Sequence, residues 1–369
     1  MPSPASAWLE SLSPWPAEFG LGRMRALLAR LGDPQHGFPA VHVVGTNGKS
    51  TTTRMTAALL RAEGLRVGAY TSPHIAGWHE RLDTDPQSFE RALERVRPAA
   101  EELGATQFEV LTAAALAEFA AREVDAAVVE AGLGGRLDAT NVLAAKVVVL
   151  TNVALDHTDV LGSTREEIAA EKLAVVADGA TVVLGEPEWE GLARERGAGL
   201  VLAPGRSNLA LATAAAAQFL GRPVDPHAAE GVALPGRLEH RAADPDEIWD
   251  GAHNLAGVGY LLERLPRGPY VITLSILGDK DVDGMLRALT ALGDTVIATT
   301  STNARALPEK ELAARAEPYF RHVEAIADPV AARERARRIA GRDGRVLVTG
   351  SLYLLAELSR TFDGGETIS

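Results

Sequence analysis

The stretch Val41-His42-Val43-Val44-Gly45-Thr46-Asn47-Gly48-Lys49-Ser50-Thr51-Thr52-Thr53 constrains this chain more than any other. An apolar, β-branched run stops at a glycine, a short polar loop ends in Gly-Lys-Ser, and Arg54 to Arg61 follow with Ala and Leu at helical spacing. Strand, loop and helix in that order are the context in which a glycine-rich loop cradles phosphate. Glycines let backbone N–H groups turn inward, the helix N-terminus adds partial positive charge, and Lys49 supplies a point charge for outer phosphates. Ser50 or Thr51 is then placed to reach a magnesium ion. The alternative is a plain turn between two elements of an α/β domain. Lysine usage weighs against it: among 37 basic residues only Lys49, Lys146, Lys172, Lys280 and Lys310 are lysine.

A length of 369 residues suits two domains, each with its own core. A net charge of -12 argues against nucleic acid as the main partner, because phosphate backbones favour basic faces. The absence of cysteine excludes disulfides, thiolate metal sites and thiol catalysis, and fits a cytoplasmic enzyme. The start, with its prolines and acids, does not resemble a secretory signal, and no apolar run approaches the ~20 residues of a membrane span. The expectation is an unanchored protein with no membrane partner.

Along the chain, helical patterns are expected over Leu21 to Leu31, Pro86 to Leu103 and Glu109 to Glu123, and strands over Leu65 to Tyr70, Asp125 to Glu130 and Lys146 to Leu150. This alternation predicts an α/β fold with a mainly parallel sheet covered on both faces. Ligand groups in such folds gather at the carboxyl ends of the strands. Lys49, Ser72, Glu130 and His157 each follow a different predicted strand, so they should converge on one sheet edge. An acid, an imidazole and a hydroxyl beside a polyphosphate suit magnesium. Taken singly, Glu130 could be a strand-end charge and His157 a capped surface histidine. Beyond Pro235-Gly236-Arg237, which resembles a hinge, Val271 to Ser275, Thr295 to Thr299 and Arg345 to Thr349 predict a smaller α/β domain. The expected boundaries are 1–235 for the phosphate-loop domain, 236–244 for a linker and 245–369 for the second domain.

The chain closely resembles the folylpolyglutamate synthase/dihydrofolate synthase family, within the Mur-ligase superfamily. The resemblance rests on Gly45-Thr46-Asn47-Gly48-Lys49, Tyr70-Thr71-Ser72-Pro73-His74 with Glu80-Arg81, Phe108-Glu109, and the long run Glu130-Ala131-Gly132-Leu133-Gly134-Gly135-Arg136-Leu137-Asp138-Ala139-Thr140-Asn141. It continues through Leu155-Asp156-His157-Thr158, Pro235-Gly236-Arg237-Leu238-Glu239, Asp250-Gly251-Ala252-His253-Asn254, Asp279-Lys280-Asp281 and Gly350-Ser351-Leu352-Tyr353.

This resemblance implies a Mur-ligase-like fold, a P-loop ATPase domain followed by a Rossmann-like domain, and an ATP-dependent carboxylate–amine ligase. The γ-phosphate passes to a substrate carboxylate, and the amine of L-glutamate displaces phosphate from the acyl phosphate. By carry-over, Asn47, Gly48, Lys49, Ser50 and Thr51 hold the phosphates; Asn208, Arg237 and Asp250 contact ATP; and Ser72, Glu130 and His157 ligate Mg2+. Lys172 matches the position of a carbamylated lysine, although an exposed helix lysine would read the same way. Arg81, His253 and Ser351 match residues around the incoming glutamate. Thr106, Gln107, Phe108, Glu109, Asp138 and Ala139 match the segments that hold a pterin. Lys49, Lys172, Asp250 and His253 are the implied catalytic set. The expected partners are ATP, L-glutamate, and dihydropteroate or reduced folates, acting on a monomer. A bifunctional dihydrofolate and folylpolyglutamate synthase is favoured by Arg136-Leu137-Asp138-Ala139. The alternative is another Mur-type ligase acting on a cell-wall precursor. A GTP switch is disfavoured, since no Asn-Lys-x-Asp motif is present.

Overall fold

The computed structural model describes residues 4–16 and 18–363. They divide into two compact units: one runs to His74 and resumes over Trp78–Val232, and the other takes Ile75–Gly77 and everything from Ala233 onward.

The first unit is built on strands β1 (Ala40–Val44), β2 (Val67–Tyr70), β3 (Ala126–Glu130), β4 (Val147–Leu150), β5 (Thr181–Leu184) and β6 (Leu200–Leu202). Their order is β2-β3-β1-β4-β5-β6, and every pair is parallel. Val41 and Val43 face Ala57, Leu60, Leu211 and Ala215 of two covering helices, Lys49–Ala62 and Asn208–Leu220. Ala40 and Val44 join the opposite core with Leu93, Leu111 and Phe119 from helices Pro86–Leu103 and Gln107–Ala121. A sheet covered on both faces needs apolar residues at every position, which is why its strands read as unbroken apolar runs. Within β1, His42 is the exception: it is fully buried.

Local signals set the helix ends. Asp85 caps Pro86–Leu103 by accepting from the Ser88 amide, and Gly104 closes it at φ 60°. Gln107–Ala121 opens on a reciprocal capping box between Thr106 and Glu109, two residues earlier than its periodicity suggested.

The second unit contains β7 (Glu239–Ala243), β8 (Asp246–Trp249), β9 (Val271–Leu274), β10 (Thr295–Ala298), β11 (His322–Ala325) and β12 (Arg345–Thr349), in the order β11-β10-β9-β12-β8-β7. All pairs are parallel except β7 with β8. Residues 236–244, expected as a linker, thus contain a strand. As a half-exposed edge strand, β7 carries Glu239-His240-Arg241 rather than an apolar run. Among the described residues no helix is long and apolar enough to cross a membrane.

Candidate active site

The phosphate loop leaves β1 at Gly45, where φ is 144° and a Cβ would lie 1.9 Å from Thr151 Oγ1. Gly48 has φ 81°, and a Cβ there would come within 2.6 Å of Asn208 Oδ1. Both positions demand glycine. The second also places Asn208, first residue of its helix, beside the loop. Helix Lys49–Ala62 begins immediately after, so its first-turn amides lack intrahelical partners at the loop. Ser50 is buried and Thr51 half-buried there. Lys49 Nζ folds back to donate to Thr46 O at 3.2 Å.

A clamp not anticipated from the sequence holds this loop. Asn152 Oδ1 accepts from the Asn47 amide at 3.0 Å, and Asn152 Nδ2 donates to Asn47 O at 3.0 Å. Thr151 Oγ1 adds a 2.7 Å bond to the same carbonyl. The Asn47 N–H is therefore spent inside the protein, and an anion would be met by the amides from Gly48 onward. A Thr-Asn pair directly after a buried strand was the available signal. Its side-chain reach across to the loop after β1 is a property of the parallel pairing of β1 and β4.

At the ends of the neighbouring strands, Glu130 is almost wholly buried. Its Oε1 accepts from Ser50 Oγ and its Oε2 from the Ser72 amide, both at 3.0 Å. The phosphate-loop serine, Ser72 and Glu130 are thus brought together. Buried oxygen donors of this kind match a hard divalent cation. His157 stands on the loop after β4 with left-handed backbone, φ 51°, its amide donating to Asp156 Oδ1. Lys172 is not the exposed helix lysine its sequence permits. It is 3% exposed and its Nζ donates to Gly45 O at 3.0 Å. Burial, then the nearby Lys49 charge, lowers its amine to about 7, against a partial pull upward from Asp156, Asp138 and Glu171. Gly135 permits this arrangement, since a Cβ there would sit 2.6 Å from the Glu171 and Lys172 carbonyl oxygens.

The residues expected around a pterin separate into two groups. Phe108 brings the tip of its ring so close to Gly132 that a Cβ there would be 2.4 Å from its Cζ, and its ring is 6.2 Å from that of Tyr70. Asp138 and Ala139 are buried at the end of the same glycine loop. Thr106 and Glu109 bond each other, with Arg23 Nε 2.7 Å from Glu109, and Gln107 donates to Leu9 O at 3.1 Å. Burial raises the Asp138 carboxyl, opposed by hydrogen bonds from Thr140, Leu133 and Gly132. Burial likewise raises the Tyr70 phenol, and the charges of Arg81, Asp138 and Glu130 all bear on it. Arg81, buried, donates through Nε to His74 Nδ1 at 3.0 Å and stacks 4.9 Å from the Trp78 ring centroid.

In the second unit, Asp250 follows β8, and Ser351 follows β12 through Gly350. Asp250 accepts from the Leu238 and Ala252 amides at 2.9 Å each. Burial raises its carboxyl, and Arg237 pulls it down. Arg237 Nη1 would be 2.9 Å from a Cβ at Gly251, and His253 Nδ1 lies 2.8 Å from Gly251 O. Arg237, Asp250 and His253 therefore share one corner at the carboxyl end of β8. Ser351, 1% exposed, meets the Tyr353 amide at 3.2 Å.

Residues 43–212 match the Mur ligase middle domain, and residues 236–352 match the Mur ligase glutamate ligase domain. A dihydrofolate synthase/folylpolyglutamate synthase of Mycobacterium tuberculosis is 34% identical, the match covering 81% of this chain and 78% of that one. The structure of E. coli FolC in complex with DHPP and ADP is 30% identical, with a TM-score of 0.88 and 98% of each chain covered. A bifunctional folylpolyglutamate synthase/dihydrofolate synthase from Yersinia pestis, complexed with AMPPNP and a Mn ion, is 29% identical, with a TM-score of 0.86 and 98% of each chain covered. With both Mur-type domains matched and sequence relatives aligned over most of its length, the chain belongs to the folylpolyglutamate synthase/dihydrofolate synthase family of ATP-dependent ligases that form carbon–nitrogen bonds.

Proposed function

We propose that this chain joins L-glutamate to the carboxylate of dihydropteroate or a reduced folate, at the expense of ATP and through an acyl phosphate. The observation that carries the reading is the grouping at one sheet edge of the Gly45 to Ser50 loop, Glu130 bonded to Ser50 and Ser72, and Lys172 buried beneath Gly45. A carboxylate becomes a usable electrophile once its oxygen can leave as phosphate, and phosphoryl transfer needs chiefly positioning and charge neutralisation.

In this reading the Gly48 to Thr51 amides and Lys49 hold the β- and γ-phosphates, with Asn208 alongside; Arg237 and Asp250 are likewise proposed as ATP contacts. Ser50 or Thr51, Ser72, Glu130 and His157 would hold Mg2+, which offsets phosphate charge when bound. Lys172, lowered to about 7, has an appreciable neutral fraction near pH 7 and is thereby competent to react with CO2; its carbamate would turn a buried cation into an anion. Phe108, Asp138 and Ala139 line the acceptor side. Thr106, Gln107 and Glu109 support it by fixing the start of the helix that carries Phe108. Arg81, His253 and Ser351 serve glutamate: Arg81 would pair with its carboxylates, because a guanidinium engages two oxygens at once. The protein is proposed to act as a cytoplasmic monomer, with both synthase activities.

The test is ADP release with ATP, glutamate and each of three acceptors in turn: dihydropteroate, tetrahydrofolate and a UDP-muramoyl acid. Turnover with the first two supports the proposal, and turnover with the muramoyl acceptor alone overturns it.

A further inference from the structure

The proposed chemistry leaves unused the one polar side chain inside the central strand. His42 sits among Val41, Val43 and Val44 with no exposed surface, and its Nε2 lies 2.8 Å from Thr140 Oγ1. Thr140 Oγ1 in turn bonds Asp138 Oδ1, which also accepts from the Thr140 amide at 2.9 Å. Asp138 Oδ2 accepts from the Leu133 amide at 2.8 Å, and the Gly132 amide contributes as well. A carboxylate offers about four lone-pair sites, so the protein itself fills those of Asp138.

The direction of this chain follows from its ends. Because the carboxylate only accepts, the Thr140 hydroxyl proton points at Asp138 and the oxygen has lone pairs left for His42. His42 must then donate from Nε2. Its Nδ1 has no hydrogen-bond partner among the described residues, as a bare lone pair; a proton there would be an orphaned buried donor, the costlier arrangement. Burial lowers His42 to about 4, so the ring is neutral at working pH and the single tautomer persists.

We propose that His42 is a positioning residue for the acceptor side of the site: through Thr140 it fixes the Asp138 carboxylate and, with it, the Gly132 to Asp138 loop against which Phe108 lies. This rests on the reading of that loop as the acceptor wall. The polar chain leads from the rigid middle of the sheet to a glycine-rich segment with little stiffness of its own. Its product is the shape of the wall rather than a contact with the substrate.

Steady-state kinetics of Thr140→Val, Thr140→Ser, His42→Val and Asp138→Asn test it, with thermal melting of each. Loss of the relay in Thr140→Val and His42→Val is expected to raise KM for dihydropteroate about tenfold while KM for ATP stays within twofold, and Thr140→Ser should restore it. An unchanged acceptor KM in Thr140→Val, with a raised one in Asp138→Asn, overturns the relay and keeps the acceptor-wall reading. An unchanged acceptor KM in Asp138→Asn overturns both. Should the apolar variants fail to fold, nitrogen-15 NMR of histidine in the intact protein decides. The resonance missing from His42→Gln should report a neutral ring protonated on Nε2, and protonation on Nδ1 contradicts the proposal.

Discussion

Lys172 places its Nζ 3.0 Å from the carbonyl oxygen of Gly45, so the lysine with the lowered amine lies directly beneath the phosphate loop. The two residues are 127 positions apart, and only the folded sheet edge joins them. This one bond ties the third part of the proposed chemistry to the first. Burial, and then the Lys49 charge beside it, favours loss of the Lys172 proton, which relieves the repulsion between the two lysines.

If Lys172 acts as a carbamate, Lys172→Ala should lose most activity and regain part of it with added acetate. The intact enzyme, freed of CO2, should recover at a fixed concentration of dissolved CO2 faster above pH 7 than below. The amine must be unprotonated to react, and its value of about 7 puts that change in this range. Absence of rescue in the variant, together with a flat pH response, would count against the carbamate.

Replacing Lys49 by Ala removes the charge proposed to face the outer phosphates. Turnover should fall by roughly two orders of magnitude or more, with the melting temperature close to that of the parent. Near-normal kcat would contradict its phosphate role.

Asn152→Ala breaks both of its bonds to the Asn47 backbone and leaves the loop held there through Thr151 Oγ1. KM for ATP should rise about five- to tenfold. Asn152→Asp should be worse, because it turns a second oxygen toward Asn47 O. Affinity for adenosine, which carries no phosphate, should be unaffected in both; equal losses for adenosine and ATP would show a general defect instead.

His42 titrates near 6.5 when unfolded and about 4 in the fold. As pH falls from 6.5 to 4 the unfolded chain takes up a proton that the native state refuses, so stability drops, by up to about 3 kcal/mol from this group. Urea unfolding of the parent and of His42→Gln across that window should show the parent losing more on acidification. Parallel curves would refute the neutral, buried assignment.

Much of this arrangement was legible in the chain because polar residues at strand ends stand out against apolar runs. Lys49, Ser72 and Glu130 could be grouped by that contrast alone, together with the rule that parallel strands share one functional edge. Lys172 could not be read the same way: a helix position gives no sign of whether its side chain is exposed or buried. Here the outcome depends on Gly135 admitting the Glu171 and Lys172 carbonyls. Asn152 was illegible because a loop asparagine has many uses, and His42 because one polar residue inside a valine run predicts no partner. The edge strand β7 escaped notice because its exposed side tolerates charge, so the apolar signal that marked β1, β3 and β4 is missing there. Thr106, Gln107 and Glu109 were placed by motif beside a pterin; what the structure adds is that Thr106 and Glu109 form the helix cap and Gln107 donates to Leu9 O.

The account stands on one chemical event, transfer of the γ-phosphate to the acceptor carboxylate before the amide forms. The direct measurement is a single turnover with ATP, glutamate and dihydropteroate carrying oxygen-18 in its carboxylate, followed by mass analysis of the released phosphate. The account predicts one labelled oxygen in each inorganic phosphate formed. Unlabelled phosphate beside a finished amide, with the lost labelled oxygen in water or in AMP, would contradict it.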